Sequence, residues 1–140
     1  MLVDEFIVDA YDWRLTSKIL SSINDTGALS GLITAFPLKT TTLIPENLDM
    51  NLFDFYMVPF NAISYMMDIT AFNASQREEF KEKLTSLNKK VIASRIMACG
   101  VLKPKEAFEF YKNIDYVDLI SIGVAKVEEA REDFTLLKEY

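Results

Sequence analysis

The sequence predicts an α/β fold made of five strand-helix units around a parallel sheet. Five short apolar runs, rich in β-branched and aromatic residues, alternate with amphipathic helical patterns along the 140 residues. Their starts follow one another at intervals close to the ~30 residues of a βαβ unit, which pairs its strands in parallel. The length suits a single domain over residues 1–140. The predicted strands cover residues 6–10, 29–36, 53–60, 91–97 and 117–124.

The first two helices are predicted from their end signals. Thr16 or Ser17 can cap the first helix, and Gly27 can end it in a left-handed conformation. The second is a short helix over residues 37–45, which begins and ends with proline.

Three further helices follow the remaining strands. Ser75 and Glu78 have the spacing of a capping box, and Pro104 suits the first position of a helix because its missing N–H is not needed there. Glu128 and Glu129 occupy a first helical turn, where the helix dipole favours acidic residues. The apolar residues predicted to face the sheet are Ile19, Leu20 and Ile23, then Phe80, Leu84 and Leu87, then Ala107, Phe110, Tyr111 and Ile114, and finally Val127, Ala130, Phe134 and Leu137.

Composition excludes several classes of function. With 15 Lys and Arg against 21 Asp and Glu, the chain has a net charge of −6, the wrong sign for binding nucleic acid or an anionic membrane surface. Its N-terminus lacks the basic region of a signal peptide, and no apolar run reaches the ~20 residues of a spanning helix. We therefore expect a soluble cytoplasmic protein.

Absent residue types narrow the chemistry further. The chain has no histidine, so His-based nucleophile systems and His-ligated metals are excluded. Cys99 is the single cysteine, which leaves no internal disulfide and no zinc cluster, and we expect it to be a small packed residue. Neither a P-loop nor a GxGxxG motif occurs, and we therefore predict no cofactor and no metal.

Four segments resemble a known class of barrel. GLITAFPLKT at 31–40, DFYMVPFN at 54–61, VIASRIMACG at 91–100 and VDLISIGVA at 117–125, followed by EEA, resemble the later βα units of TIM-type (β/α)₈ barrels. More narrowly, they are similar to a group of barrel proteins that carries no established activity. The resemblance covers nearly the whole chain and implies a partial barrel.

Five βα units cannot close a barrel that takes about 250 residues. An incomplete, half-barrel sheet leaves its edges and inward face uncovered, so we expect a homo-oligomer or a partner chain that completes the sheet. The alternative fold is a flavodoxin-like, doubly wound open sheet, which also has five βα units.

In both architectures function gathers at the carboxyl ends of the strands. Asp9 is a candidate base or, with Asp12, a Mg²⁺ ligand, unless it bonds loop amides. Lys39 is a candidate Schiff-base lysine, unless it is solvated or faces a phosphate. Arg95 is a candidate anion anchor, and it stands where the resembled pattern has lysine, which argues against aldolase-like chemistry because arginine stays protonated.

The candidate ligand or phosphate site comprises Asn61, Gly100, Gly123 and Ala125. Glycine lets backbone amides approach an anion, and these glycines lie where barrels often hold phosphate. The two acidic residues at the start of the last helix would repel that phosphate, and Asn61 is also an ordinary turn former after Pro59.

Three functions remain open. The first is a barrel-derived protein that self-associates through its exposed sheet and has no established activity. The second is a lyase-like or isomerase-like enzyme that acts on a small phosphorylated or carbonyl substrate through Asp9, Lys39 and Arg95. The third is an open-sheet module that binds a small-molecule ligand.

Overall fold

A computed structural model describes residues 1–69 and 73–140, and in these ranges the chain forms five strands and six α-helices. The strands are β1 (Leu2–Val3), β2 (Gly31–Ile33), β3 (Phe55–Pro59), β4 (Lys90–Ser94) and β5 (Leu119–Ile120). The helices are α1 (Glu5–Val8), α2 (Trp13–Asn24), α3 (Pro37–Asn47), α4 (Ala74–Ser86), α5 (Pro104–Tyr111) and α6 (Val127–Leu137). Short 3₁₀ turns cover Met50–Leu52 and Ala98–Gly100.

The five strands form one all-parallel sheet in the order β1-β2-β3-β4-β5. The predicted α/β class with a parallel sheet is therefore confirmed. Because each crossover between parallel strands is right-handed, a sheet that adds every strand on the same side carries all its connecting helices on one face. A flavodoxin-like sheet has the order 2-1-3-4-5. The observed order favours the half-barrel arrangement.

The first strand was predicted wrongly. Residues 6–10 do not form a strand, and β1 is instead Leu2–Val3. The side chain of Asp4 accepts a hydrogen bond from the backbone N of Phe6 at 2.9 Å, and Glu5 follows in the first turn. This N-terminal cap outweighs the β propensity of the apolar residues, so the chain turns into α1.

Two helix caps also differ from prediction. α2 is capped by Asp12, whose carboxylate accepts from the Leu15 backbone N at 3.0 Å, and not by Thr16 or Ser17. α4 is capped by Asn73 through the backbone N of Gln76 at 3.0 Å, two residues before Ser75. In both cases an Asp or Asn upstream takes the position, as these residues do at least as well as Ser.

The helices cover one face of the sheet. Its residues alternate along each strand, and the registered neighbours Leu32, Tyr56 and Val91 are at most 3% exposed. The hydroxyls of Tyr56 and Thr41 of α3 lie 3.0 Å apart, which places this face directly under a helix. The predicted apolar faces of α2 and α4 pack here, with Leu20, Phe80 and Leu84 fully buried.

On the opposite face of the sheet, no helix of the described residues covers the strands. We call this the open face; it holds Leu2 and Phe55 in one registered row and Ile33, Met57, Ile92 and Leu119 in the next. Five of these six side chains are partly exposed and Leu119 is 52% exposed. In a closed barrel this face would be the filled interior.

Helix α6 also leaves apolar side chains in solvent. Val127 and Phe134, predicted to face inward, are 62% and 52% exposed, whereas Asp133 is only 6% exposed. The helix follows the edge strand β5, and among the described elements its main contact is with α5. One flank of α6 therefore lacks the neighbour that its apolar pattern implies.

Gly31 lies where two neighbouring strands leave no space for a side chain. A Cβ there would stand 2.5 Å from both Leu2 Cδ2 and the Phe55 carbonyl oxygen. Because one of these atoms belongs to the backbone, Gly31→Ala is expected to force β2 away from β3 and to cost about 1–3 kcal/mol in urea unfolding. Gly123→Ala is the matched control, since a Cβ there meets no atom within 4 Å. Equal stability of the two variants would contradict the prediction.

Candidate functional site

Asp9 connects α1 to the second βα unit. Its carboxylate accepts hydrogen bonds from the hydroxyl of Thr40 at 3.0 Å, the hydroxyl of Thr34 at 2.5 Å and the backbone N of Ala35 at 2.7 Å. Thr34 and Thr40 are fully buried. The carboxylate is occupied by this network, which agrees with the structural reading of Asp9 as an acceptor of loop hydrogen bonds.

The other candidates near Asp9 make contacts of their own. Asp12 caps α2 through the backbone N of Leu15. Lys39 is exposed, with its ammonium 4.3 Å from the centre of the Tyr11 ring. This environment does not desolvate the ammonium, so nothing in it favours Schiff-base chemistry. The catalytic roles of Asp9 and Lys39 remain predictions.

Asn61 organises the segment that follows β3. Its fully buried side chain donates to the carbonyl of Tyr65 at 2.9 Å and accepts from the Tyr65 backbone N at 2.8 Å. Further along, the carboxylate of Asp68 accepts from the backbone N atoms of Leu38 and Lys39, each at 2.8 Å. Asp68 therefore fills the N-terminus of α3, where an external anion would otherwise bind.

Arg95 spans the carboxyl edge of the sheet. Its Nη2 donates to both carboxylate oxygens of Glu5, at 2.9 and 2.8 Å, although the two residues are 90 positions apart. In a flat sheet β1 and β4 would lie about 14 Å apart. Two extended side chains joined by a hydrogen bond can span this distance, so the contact links the segments that follow two non-adjacent strands.

The guanidinium of Arg95 retains one unused group. Its Nη1 is buried and has no hydrogen-bond partner among the described residues. The backbone of Arg95 is left-handed, with φ of 54°, and Ala98 and Cys99 share this conformation at 48° and 55°. For residues other than glycine this conformation costs about 1–3 kcal/mol each, and such positions concentrate at functional sites.

Cys99 is exposed, so the prediction of a packed cysteine is wrong. It lies in the 3₁₀ turn Ala98–Gly100, where its backbone is left-handed. A hydrogen bond with the Cys99 thiol raises the pKa of the Tyr65 hydroxyl. This contact joins the segments that follow β3 and β4.

A cavity of about 690 Å³ opens beside Arg95, at the carboxyl ends of β4 and β5. The segment 95–104 contributes two cations, Arg95 and Lys103, and helix α6 contributes three acids, Glu129, Glu132 and Asp133. Burial raises the pKa of the Asp133 carboxyl, and the charges of the two glutamates add to this effect. The cavity therefore carries opposite charges on different structural elements.

The predicted phosphate site is partly occupied by the chain itself. Gly100 and Gly123 both line the cavity, but the backbone N of Ala125 donates to the carboxylate of Glu129 at 2.9 Å. A Cβ at either glycine would meet open space, so close approach of another group does not explain them. Asn61 contributes to the loop after β3 and does not line this cavity.

Sequence reasoning missed the residues that complete this edge. Glu5, Tyr65, Lys103 and Asp133 were not singled out because none follows a predicted strand directly. The sequence offers one indication for Asp133, since it lies at the edge of the predicted inward face of the helix, next to Ala130 and Phe134. Only the orientation of α6 shows that this carboxylate faces inward.

Fold and site together define an α/β protein with a singly wound parallel sheet and a charged cavity at its carboxyl edge. In the described part of the chain, no helix has the length and apolar character needed to cross a membrane. Comparison of the chain with family models, curated proteins and solved structures found no match.

Proposed function

We propose that this chain is a half-barrel subunit that self-associates through the open face of its sheet. The observation that carries the proposal is the registered apolar row of Ile33, Met57, Ile92 and Leu119. Parallel sheets occur almost only with both faces covered. A second copy presents the same apolar row, so it can cover this face in a two-fold symmetric contact.

The exposed surface has the size that such a contact requires. The chain exposes 8122 Å², about 700 Å² more than the ~7,400 Å² of a compact monomer of this mass. A standard interface buries about 800 Å² on each partner. Closing the open face would therefore bring the exposed surface of each subunit into the ordinary range.

The two ends of the sheet support the same proposal. β1 and β5 each pair with a strand on one side only. Next to these edges, Leu15 of α2 is 44% exposed and Phe134 of α6 is 52% exposed. Apolar side chains at both edges and on the open face form the kind of patch that marks an interaction surface.

Placing a charge on the open face is expected to separate the copies. We expect the wild type to have at least twice its monomer mass of 16.0 kDa in light scattering after gel filtration. In Met57→Lys a charge would be buried without a partner at the centre of the contact, so the mass should fall to that of the monomer. Val101→Lys is the control, because Val101 is 64% exposed and belongs to none of the strands of the sheet.

Circular dichroism establishes whether each variant is folded, and Ile92→Lys repeats the test at a neighbouring strand. A folded wild type that is monomeric at every concentration would refute self-association. If both open-face variants fold and keep the wild-type mass, the copies meet through another surface.

A further inference from the structure

Two groups of opposite charge line the cavity beside Arg95 without hydrogen-bond partners among the described residues. The Nη1 atom of Arg95 has no acceptor. Asp133 is 6% exposed, and its carboxylate makes no hydrogen bond or ion pair with the described residues. A buried charge or donor without a partner is costly, and most proteins avoid it unless a ligand, an ion or water satisfies the group.

The other charged residues of the cavity are divided in the same way, with the cation in the segment after β4 and the acid on α6. Lys103, near Arg95 in sequence, forms no ion pair among the described residues, and Glu132 adjoins Asp133 on α6. Both the basic and the acidic side chains can therefore form further ion pairs or hydrogen bonds with a ligand. A simple anion would meet three acids, and a simple cation would meet two basic side chains.

Apolar side chains also line the cavity. Ile96, Met97, Leu102 and Pro104 contribute to the lining, and the volume of about 690 Å³ exceeds what a single ion requires. Cavities of 300–1,000 Å³ hold small organic molecules, which are oriented by a few polar groups within an apolar lining.

We propose that this cavity binds a small zwitterion with an apolar side chain, of the free α-amino acid type. Its carboxylate accepts hydrogen bonds from Arg95 Nη1 and is attracted by Lys103. Its ammonium pairs with Asp133 and Glu132. One ligand thereby pairs with both Arg95 Nη1 and the Asp133 carboxylate. A phosphate could pair only with the arginine, and a metal ion only with the carboxylate.

The left-handed backbone of Arg95 fits this role. At this residue the guanidinium reaches Glu5 with Nη2, while Nη1 has no partner among the described residues. Glu5 fixes the guanidinium plane and acts as a positioning residue. The strain at residues 95, 98 and 99 is then associated with a preformed ligand contact.

The test uses probes that differ only in their charged groups. ¹H–¹⁵N NMR titrations compare L-phenylalanine with phenethylamine, which lacks the carboxylate, and 3-phenylpropionate, which lacks the ammonium. L-leucine and L-methionine are titrated in parallel. We expect at least one of the three amino acids to shift amide resonances of residues 95–104 and 123–133. Loss of either charged group should weaken binding about tenfold or more, since each forms charge-assisted hydrogen bonds.

Asp133→Asn is expected to weaken amino-acid binding about tenfold, whereas the control Asp25→Asn, at an exposed position after α2, should bind as the wild type does. The variant should fold well. An acid whose pKa is raised by folding loses stability as pH rises above its unfolded pKa, and the amide does not carry this penalty at neutral pH.

Three results would overturn the proposal. The first is the absence of shifts with all three amino acids at millimolar concentration. The second is binding of the amine or the acid as tight as that of the zwitterion. The third is unchanged affinity in folded Asp133→Asn. Each result is independent of the oligomeric state, so failure of self-association would not decide this test.

Discussion

Phe60→Ala is expected to lower the free energy of unfolding by about 3–5 kcal/mol, the range measured for loss of a buried aromatic ring. Phe60 follows β3 and is completely buried. Its ring centre lies 5.3 to 5.8 Å from those of its aromatic neighbours, which are Phe80, Phe110, Tyr111 and Tyr116. The substitution therefore removes contacts with α4, with α5 and with the segment before β5.

The loss would be a large share of a domain's stability, which is generally 5–15 kcal/mol. Urea unfolding followed by circular dichroism measures it, at a fixed protein concentration because association also contributes to stability. Phe6→Ala is the matched control, since Phe6 is 85% exposed. If the Phe60 variant is no less stable than the Phe6 variant, the aromatic cluster does not stabilise the packing of α4 and α5 against the end of β3.

Asp9→Ala is expected to destabilise the fold by about 3 kcal/mol, because hydrogen bonds to a charged acceptor are strong and their donors stay buried when it is lost. Thr34 and Thr40 are fully buried, and the backbone N of Ala35 would also lose its acceptor. Asp9→Asn should cost less, since its amide keeps one acceptor oxygen. Asp25→Ala, at an exposed carboxylate, is expected to be nearly neutral.

This prediction separates the two readings of Asp9. If the carboxylate mainly supports the fold, the alanine variant unfolds at clearly lower urea concentration than the Asp25 variant. A residue reserved for catalysis more often leaves stability unchanged or improves it when removed. Wild-type stability in Asp9→Ala would therefore favour the catalytic reading.

The repeating strands and helices could be predicted because their patterns are local. The predicted segments 29–36, 53–60 and 117–124 each contain an observed strand, the segment 91–97 overlaps β4 from its second residue onward, and Pro104 begins α5. The prediction of the first strand was wrong for an equally local reason. Asp4 caps a helix that begins at Glu5, but the apolar residues that follow have high β propensity, and the prediction gave this propensity more weight than the cap.

The contacts made by the candidate site residues could not be predicted from the sequence. Arg95 lies at the predicted edge, yet its partner Glu5 is 90 residues away and no sequence pattern relates the two. The acids of α6 were expected to repel a phosphate, and only the fold shows that Glu129 holds the Ala125 amide while Asp133 lines a cavity. Side-chain partners across a sheet depend on curvature and register, which local spacing does not contain.

Local patterns in the sequence specify an acidic α/β chain with parallel strands and no histidine chemistry, because periodicity, capping and composition are properties of short segments. Which apolar residues are covered depends on how these segments pack in three dimensions. Val127 and Phe134 have the spacing of inward-facing residues, but they remain exposed because no described element packs against that flank of α6. The same physical reason applies to the open face. An apolar face is buried only when another layer of structure packs against it, and the sequence of a strand does not determine which layer that is.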